Sequence, residues 1–289
     1  MAEGDILISD GAMGTLLQAK GLEPGECPEL WSITHPEIIQ GIHEAYIAAG
    51  ADIAETNSFG GTCYKLKPYG LADKVRDLNL AAVALAKQAS AGKGYVAASV
   101  GPTGHIVEDE GGDVTPQDLY KAFQKQVVAL AEGGADALCI ETMASLTEAH
   151  QAIRAAKENS ELPVICTFTF EASVRGFRTM MGVTPERAVR EAVAAGADIV
   201  GANCGNGIVN MIEITRQMRA ALPNTPILIQ ANAGTPLLEG ERTVFRETPE
   251  FMASKVPDLI KAGAQIIGGC CGTTPDHIAA MARAAKALC

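Results

Sequence analysis

Four times along the chain a helix-ending tetrapeptide is spelled in nearly the same way: Ala49-Gly50-Ala51-Asp52, Gly133-Gly134-Ala135-Asp136, Ala195-Gly196-Ala197-Asp198 and Ala262-Gly263-Ala264-Gln265. Glycine there takes the left-handed conformation that ends a helix. A short apolar run with little alternation follows each one, the pattern of a parallel strand buried on both faces. Helix then strand is therefore the repeating unit. Helix starts are repetitive too: Thr115-Pro116-Gln117-Asp118, Thr184-Pro185-Glu186, Thr248-Pro249-Glu250 and Thr274-Pro275-Asp276 place an N-cap hydroxyl, a first-turn proline and an acid in order. Ser145-Leu146-Thr147-Glu148 offers a capping box.

Apolar runs fall at 6–9, 53–56, 95–100, 137–141, 164–168, 199–203, 227–231 and 265–269, separated by helical patterns such as 74–89 and 116–132. Eight such units, in a chain near the usual barrel size of about 250 residues, predict an α/β fold, a single (β/α)8 TIM barrel over residues 1–289, rather than an open doubly wound sheet. The surplus length lies in the connections 21–35 and 101–113, where irregular excursions are expected. No linker or second domain is visible.

A net charge of −11 argues against nucleic acid and anionic membrane surfaces as partners, which leaves small molecules and proteins. Met1-Ala2-Glu3-Gly4-Asp5 lacks the basic flank of a secretory signal, and no apolar run approaches the roughly 20 residues of a membrane span. A cytoplasmic location is expected, with the eight cysteines mostly reduced.

Barrel active sites are built at the C-terminal strand ends. The residues there form a polar ring: Asp10, Glu55 with Asn57, Ser99, Glu141 with Thr142, Asn203 with Cys204, Asn232, and Cys270 with Cys271. Three cysteines on one rim in a reducing compartment suit a borderline-soft metal, zinc first. Cys270 and Cys271 both reach it only if the chain bends, which Gly268-Gly269 and Gly272 permit. Three thiolates leave a tetrahedral zinc one open position, the mark of a catalytic site, where a substrate thiol would lose its proton and become a nucleophile. For Cys27, Cys63, Cys139, Cys166 and Cys289 plain packing is expected. The turn Asp10-Gly11-Ala12-Met13-Gly14-Thr15 can hold an anion on backbone N–H groups, or its glycines can serve packing alone. Asp10 and Glu141 beside it suit an amino acid's ammonium.

These segments resemble the homocysteine S-methyltransferase family, most nearly the homocysteine-binding barrel of cobalamin-dependent methionine synthases. The resemblance runs through Asp10 to Thr15, Glu55-Thr56-Asn57-Ser58-Phe59-Gly60, Ile140-Glu141-Thr142, Gly201-Ala202-Asn203-Cys204-Gly205 and Gly268-Gly269-Cys270-Cys271-Gly272. It implies that Cys204, Cys270 and Cys271 ligate zinc, with Asn232 offered for the fourth place when substrate is absent. It implies that Asp10 and Glu141 face the homocysteine amino group while Gly11 and Ala12 receive its carboxylate; Asn57 and Ser99 complete the expected substrate-binding set. No Asp-x-His-x-x-Gly cobalamin loop and no dinucleotide fingerprint is present. The expected donor is therefore methylcobalamin or a related methylcorrinoid carried by a separate protein or domain. The alternatives are a sulfonium or betaine donor, or a metal-free barrel with a cysteine nucleophile. Betaine use is the weaker match, because Thr142 stands where a tyrosine is expected.

Overall fold

A computed structural model describes residues 6–240 and 242–288; residues 1–5 and Cys289, for which an acidic start and a packing role were expected, lie outside the described residues. The strands β1 (Leu7–Ile8), β2 (Ile53–Glu55), β3 (Tyr95–Val100), β4 (Ala137–Met143), β5 (Val164–Phe168), β6 (Ile199–Gly207), β7 (Ile227–Asn232) and β8 (Ile266–Gly269) form one sheet, in the order β1-β8-β7-β6-β5-β4-β3-β2. Its paired strands run parallel. Ser9 bridges to Ile53, and the Asp10 N–H donates to Ile53 O at 3.0 Å, so β1 also meets β2 and the sheet closes into the expected barrel.

The recurring Asp has a physical role at the bottom of this barrel. Asp52, which leads into β2, donates its N–H to Ile8 O and accepts the Ile8 N–H on its carboxylate (2.8 Å). Asp136 clamps Val96 in the same two-point way (2.7 Å to the carboxylate), and Asp198 clamps Val164 (2.8 Å). An N–H near the start of each strand thereby gains a partner. At the fourth repeat Gln265 instead accepts from Arg219 Nη2 at 3.0 Å. The repeat's glycines end the preceding helices at positive φ: Gly50 at 101°, Gly134 at 85°, Gly196 and Gly263 at 113°.

Thr115, Thr184 and Thr248 accept the backbone N–H three residues on, as expected of N-caps. At Ser145 only half the predicted box forms. Ser145 accepts the Glu148 N–H, but the Glu148 carboxylate turns to Thr103, accepting its N–H at 2.7 Å and its hydroxyl at 2.6 Å. Inside the barrel a small layer of Ile53, Ala97, Cys139, Ile165, Leu228 and Ile266 fills the lower half. A larger apolar shell lies between strands and helices.

Three features depart from the expected outline, all on the face where the strands end. The 21–35 connection contains a 3-10 turn, Pro28–Leu30, and a short helix, Trp31–Thr34. Antiparallel hairpins, unread in the sequence, follow β5 (Glu171–Ser173 with Gly176–Arg178) and β7 (Leu237–Glu239 with Arg242–Val244). Finally, β4 and β6 run on past the expected ends at 141 and 203, each with a register shift where Thr142 (φ 60°) and Cys204 (φ 58°) enter the left-handed region. No helix among the described residues is long and apolar enough to cross a membrane.

Candidate active site

A cavity of about 310 Å³ opens at this face. The ionisable side chains lining it are Asp10, Glu29, Glu55, Glu141 and the cysteines Cys204, Cys270 and Cys271; among the described residues no Lys, Arg or His does so. A space walled by acids and thiols with no basic counter-charge attracts cations.

The three cysteines meet as the strand-end reading expects. Cys204 sits at the kink of β6, while Cys270 and Cys271 follow β8 in a turn closed by Gly272 at φ 80°. That glycine is obligatory, since a Cβ there would lie 2.2 Å from the Phe245 ring. All three Sγ atoms lie within 4.8 Å of one another, and Cys204 and Cys271 are 3.8 Å apart. Zinc–thiolate bonds of ~2.3 Å in tetrahedral array separate sulfurs by roughly 3.8 Å, so the donor set fits a metal of that kind. Hydrogen bonds from Cys270 and Cys271 pull the Cys204 thiol down to about 3, so one thiolate is shared by two thiols. The Cys204 interaction correspondingly pushes Cys271 up to about 12 and Cys270 well above its ordinary value. Asn232, buried beside them, hydrogen-bonds Cys204 while its Oδ1 has no partner. An orphaned buried acceptor beside three sulfurs adds an oxygen donor suited to a metal cation.

The acids form the other half of the site. Burial pushes Asp10 up to about 8, with the Glu141 charge adding and the hydrogen bond from the Glu55 N–H (2.8 Å) opposing. Burial likewise raises Glu141 to about 7, against the Ser99 hydroxyl, which donates to Oε1, and with the Cys204 charge. Glu55 is raised well above the carboxylate range by burial and by both acids, despite Gln230 Nε2 donating to it at 2.9 Å. Asp10 Oδ1 and Gln230 Oε1 are buried without partners.

Gly11 and Ala12 line the cavity beside Asp10. The Ala12 N–H already donates to Thr273 Oγ1 (3.1 Å), whose own proton goes to Cys270 O (2.7 Å); Tyr46 Oη donates to Ala12 O (2.8 Å). The turn is thereby tied to the cysteine loop. A Cβ at Gly11 would meet Thr273 Oγ1 at 2.6 Å and the Tyr46 ring at 2.9 Å, so only glycine fits. Asn57 also lines the cavity, but its amide donates to Pro28 O (2.8 Å) and Ser32 Oγ (3.2 Å), bracing the 28–34 segment.

Sequence reasoning missed Glu29, Gln230 and Thr273. Glu29 comes from the connection read only as irregular, and it reaches the cavity wall by accepting the Gly60 N–H at 2.6 Å. Gln230 is one residue short of the predicted end of its strand. The histidines stay away: His43 is fully buried, His277 accepts the Thr274 N–H, and His105 pairs with Asp113 in the 101–113 loop. Cys27, Cys139 and Cys166 are buried as expected, and Cys63 is half-buried.

A family model described as homocysteine S-methyltransferase matches residues 7–285. The methionine synthases of Mycobacterium leprae (strain TN) and Mycobacterium tuberculosis (strain ATCC 25618 / H37Rv) share 31% and 30% identity with the chain over 98% and 96% of its length. The chain spans about a quarter of those relatives, 24% of each. The homocysteine methyltransferase MmuM from Escherichia coli superposes in its metallated form with a TM-score of 0.80 at 27% identity, covering 96% of both chains. Its oxidised form gives 0.79 at 26% identity, covering 99% of this chain and 96% of that one. With a family model matched from β1 to the last helix and relatives at this identity over nearly every residue, the chain belongs to the homocysteine S-methyltransferase family.

Proposed function

We propose that this chain holds zinc on Cys204, Cys270 and Cys271 and transfers a methyl group to the thiol of homocysteine, giving methionine, with a methylcorrinoid on a separate protein or domain as donor. The observation that carries the reading is the pairing, in one cavity without basic residues, of a three-sulfur cluster with buried acids. Homocysteine is a thiol with an ammonium group, so one ligand answers both halves.

When bound, the metal supplies Lewis acidity that lowers a thiol's pKa to near neutrality. The protein's part is placement. Asp10 and Glu141 receive the ammonium. Ser99 holds the Glu141 carboxylate, and the turn at Gly11 and Ala12 faces the ligand's carboxylate. Thr273 and Tyr46 fix that turn against the cysteine loop, so amino-acid anchor and thiol anchor keep one separation. Asn232 stands next to Cys204 with a free oxygen for the fourth ligand place when no substrate thiol fills it.

A corrinoid donor draws support from the match to methionine synthases, whose length beyond this barrel leaves room for a carrier. A second reading, with a sulfonium or betaine donor, has its own observation: MmuM, named a homocysteine methyltransferase, is covered over 96% of its length by this chain, so a protein of that name need be no longer than this barrel. A metal-free cysteine nucleophile is poorly supported, because no histidine lines the cavity to act as base. The deciding assay incubates the zinc-loaded chain with L-homocysteine and, in parallel, methylcobalamin, S-methylmethionine, betaine or S-adenosylmethionine, and measures methionine. Turnover with methylcobalamin is expected. Turnover with a sulfonium or betaine alone refutes the corrinoid assignment, and absence of homocysteine binding refutes the whole reading.

A further inference from the structure

Asn203, the residue before Cys204, is fully buried. An asparagine amide offers two donor hydrogens and an oxygen with two acceptor sites, and here each is used. Its Oδ1 accepts the Thr142 backbone N–H (2.8 Å) and the Thr167 hydroxyl (2.8 Å). Its Nδ2 donates to Glu141 Oε2 (3.0 Å) and to Thr142 Oγ1 (2.7 Å). A backbone N–H can only donate, so the oxygen must face Thr142 and the amide has one orientation. One side chain on β6 thus ties down β5 and the kinked end of β4.

The kink needs such a tie. Thr142 is β-branched and sits at φ 60°, a conformation such residues rarely adopt. Asn203 grips it at both the N–H and the hydroxyl. Glu141, one residue earlier, then has Oε1 held by Ser99 and Oε2 held by Asn203 while it lines the cavity. Because Asn203 adjoins Cys204, the acid that receives an amine and one anchor of the sulfur cluster belong to a single rigid unit.

We propose that Asn203 is a positioning residue that sets the preference for a thiol bearing an α-amino group, by fixing the Glu141 carboxylate relative to the three sulfurs. This rests on the functional reading above and extends it to the basis of substrate choice. A residue needed only for packing would weaken every thiol ligand alike, whereas Asn203 acts through Glu141 and concerns the amine alone.

The test is calorimetric binding to the zinc-loaded chain of L-homocysteine and of 4-mercaptobutyrate, which keeps the thiol and carboxylate but lacks the amine. Asn203→Asp preserves shape and acceptor but replaces the amide donor by a second acid against Glu141 Oε2, so that the two carboxyls share a proton and Glu141 loses its fixed, ionisable setting. It is expected to weaken homocysteine by roughly tenfold or more, to leave 4-mercaptobutyrate within about twofold, and to leave the zinc stoichiometry unchanged. In a Glu141→Gln background the same substitution should add no further loss. Thr167→Val, which deletes a hydroxyl that donates to Asn203 Oδ1 rather than to Glu141, repeats the comparison and decides the matter should Asn203→Asp not fold. Equal weakening of both ligands, or an undiminished preference for homocysteine, overturns the proposal. Unsubstituted protein that binds neither thiol defeats the functional reading as well, so the two failures are told apart.

Discussion

Raising the pH should tighten homocysteine binding, and the cavity's acids set by how much. Asp10 at about 8 and Glu141 at about 7 lie above their ordinary carboxylate values, so near pH 6 the ligand-free cavity keeps its protons. An incoming ammonium needs the ionised form and displaces them. The sign follows: the complex binds fewer protons than the free protein, so affinity climbs as pH passes through the raised values. Between pH 6 and pH 8 the ionised share of Glu141 goes from about one part in eleven to about ten, a tenfold change, and that of Asp10 from about one in a hundred to about one half, a fiftyfold change. A need for ionised Glu141 alone therefore implies about a tenfold fall in Kd, for ionised Asp10 alone about fiftyfold, and for both several hundredfold. The metal does not cancel this. Three thiolates with a divalent cation carry a net charge of about −1, as does the lone Cys204 thiolate of the metal-free cluster.

Calorimetry from pH 6 to 8 with homocysteine and with 4-mercaptobutyrate separates the amine from the thiol, because both ligands lose a thiol proton and one alone carries an ammonium. The ratio of their affinities should move toward homocysteine by about tenfold or more over that range. A flat or falling ratio would refute the assignment of Asp10 and Glu141 to the amine. Glu141→Gln provides the internal control: it should lower the pH dependence by about tenfold, leaving only the Asp10 contribution.

Other outcomes follow from the same structure. Cys204→Ser removes the sulfur shared by its two neighbours; zinc retained after dialysis against a chelator should fall from one per chain to a small fraction, measured by elemental analysis. Arg219 donates to the carbonyls of Leu222, Pro223, Thr225 and Gly263 and to Gln265 Oε1. A lysine cannot reproduce that fork, so Arg219→Lys should cost about 2 kcal/mol in denaturant titration. His43 is fully buried with neither ring nitrogen partnered, and burial lowers it to about 4. Its neutral form is the stable one, so its contribution is complete above pH 6.5 and lost as pH falls toward 4. Relative to His43→Leu, the natural chain should lose up to about 3 kcal/mol over that interval, and a parallel pH dependence in both proteins would contradict this.

The barrel was legible because its signals are local. Glycine after a helix, Thr-Pro before one, and Asp before a strand each answer a need of their own backbone neighbourhood, and the Asp52, Asp136 and Asp198 clamps join residues of adjacent strands at a fixed point of each repeat. Once the strands were counted, the positions of Cys204, Cys270 and Cys271 on the rim followed. Glu29 was illegible for the opposite reason. Its place depends on how an irregular segment folds back to accept the Gly60 N–H, 31 positions away. The Ser145 box misled because Glu148 found a better partner in Thr103, outside the helix altogether.

The strand ends that matter most were misplaced by a few residues, and the reason is chemical rather than statistical. Strand β4 was expected to stop at Glu141 and β6 at Asn203, yet both continue after a left-handed residue. Glycine would sit there without strain, whereas Thr142 and Cys204 each cost on the order of 1–3 kcal/mol. The positions hold side chains because those side chains are used: one thiol faces the sulfur cluster, and one hydroxyl is held by Asn203. What offsets the strain at Thr142 lies 61 residues away in the sequence. A local reading of the chain sees only that a strand ought to end. The kink becomes intelligible once Asn203 is seen to hold, with one amide, both the strained residue and the acid that the cavity needs.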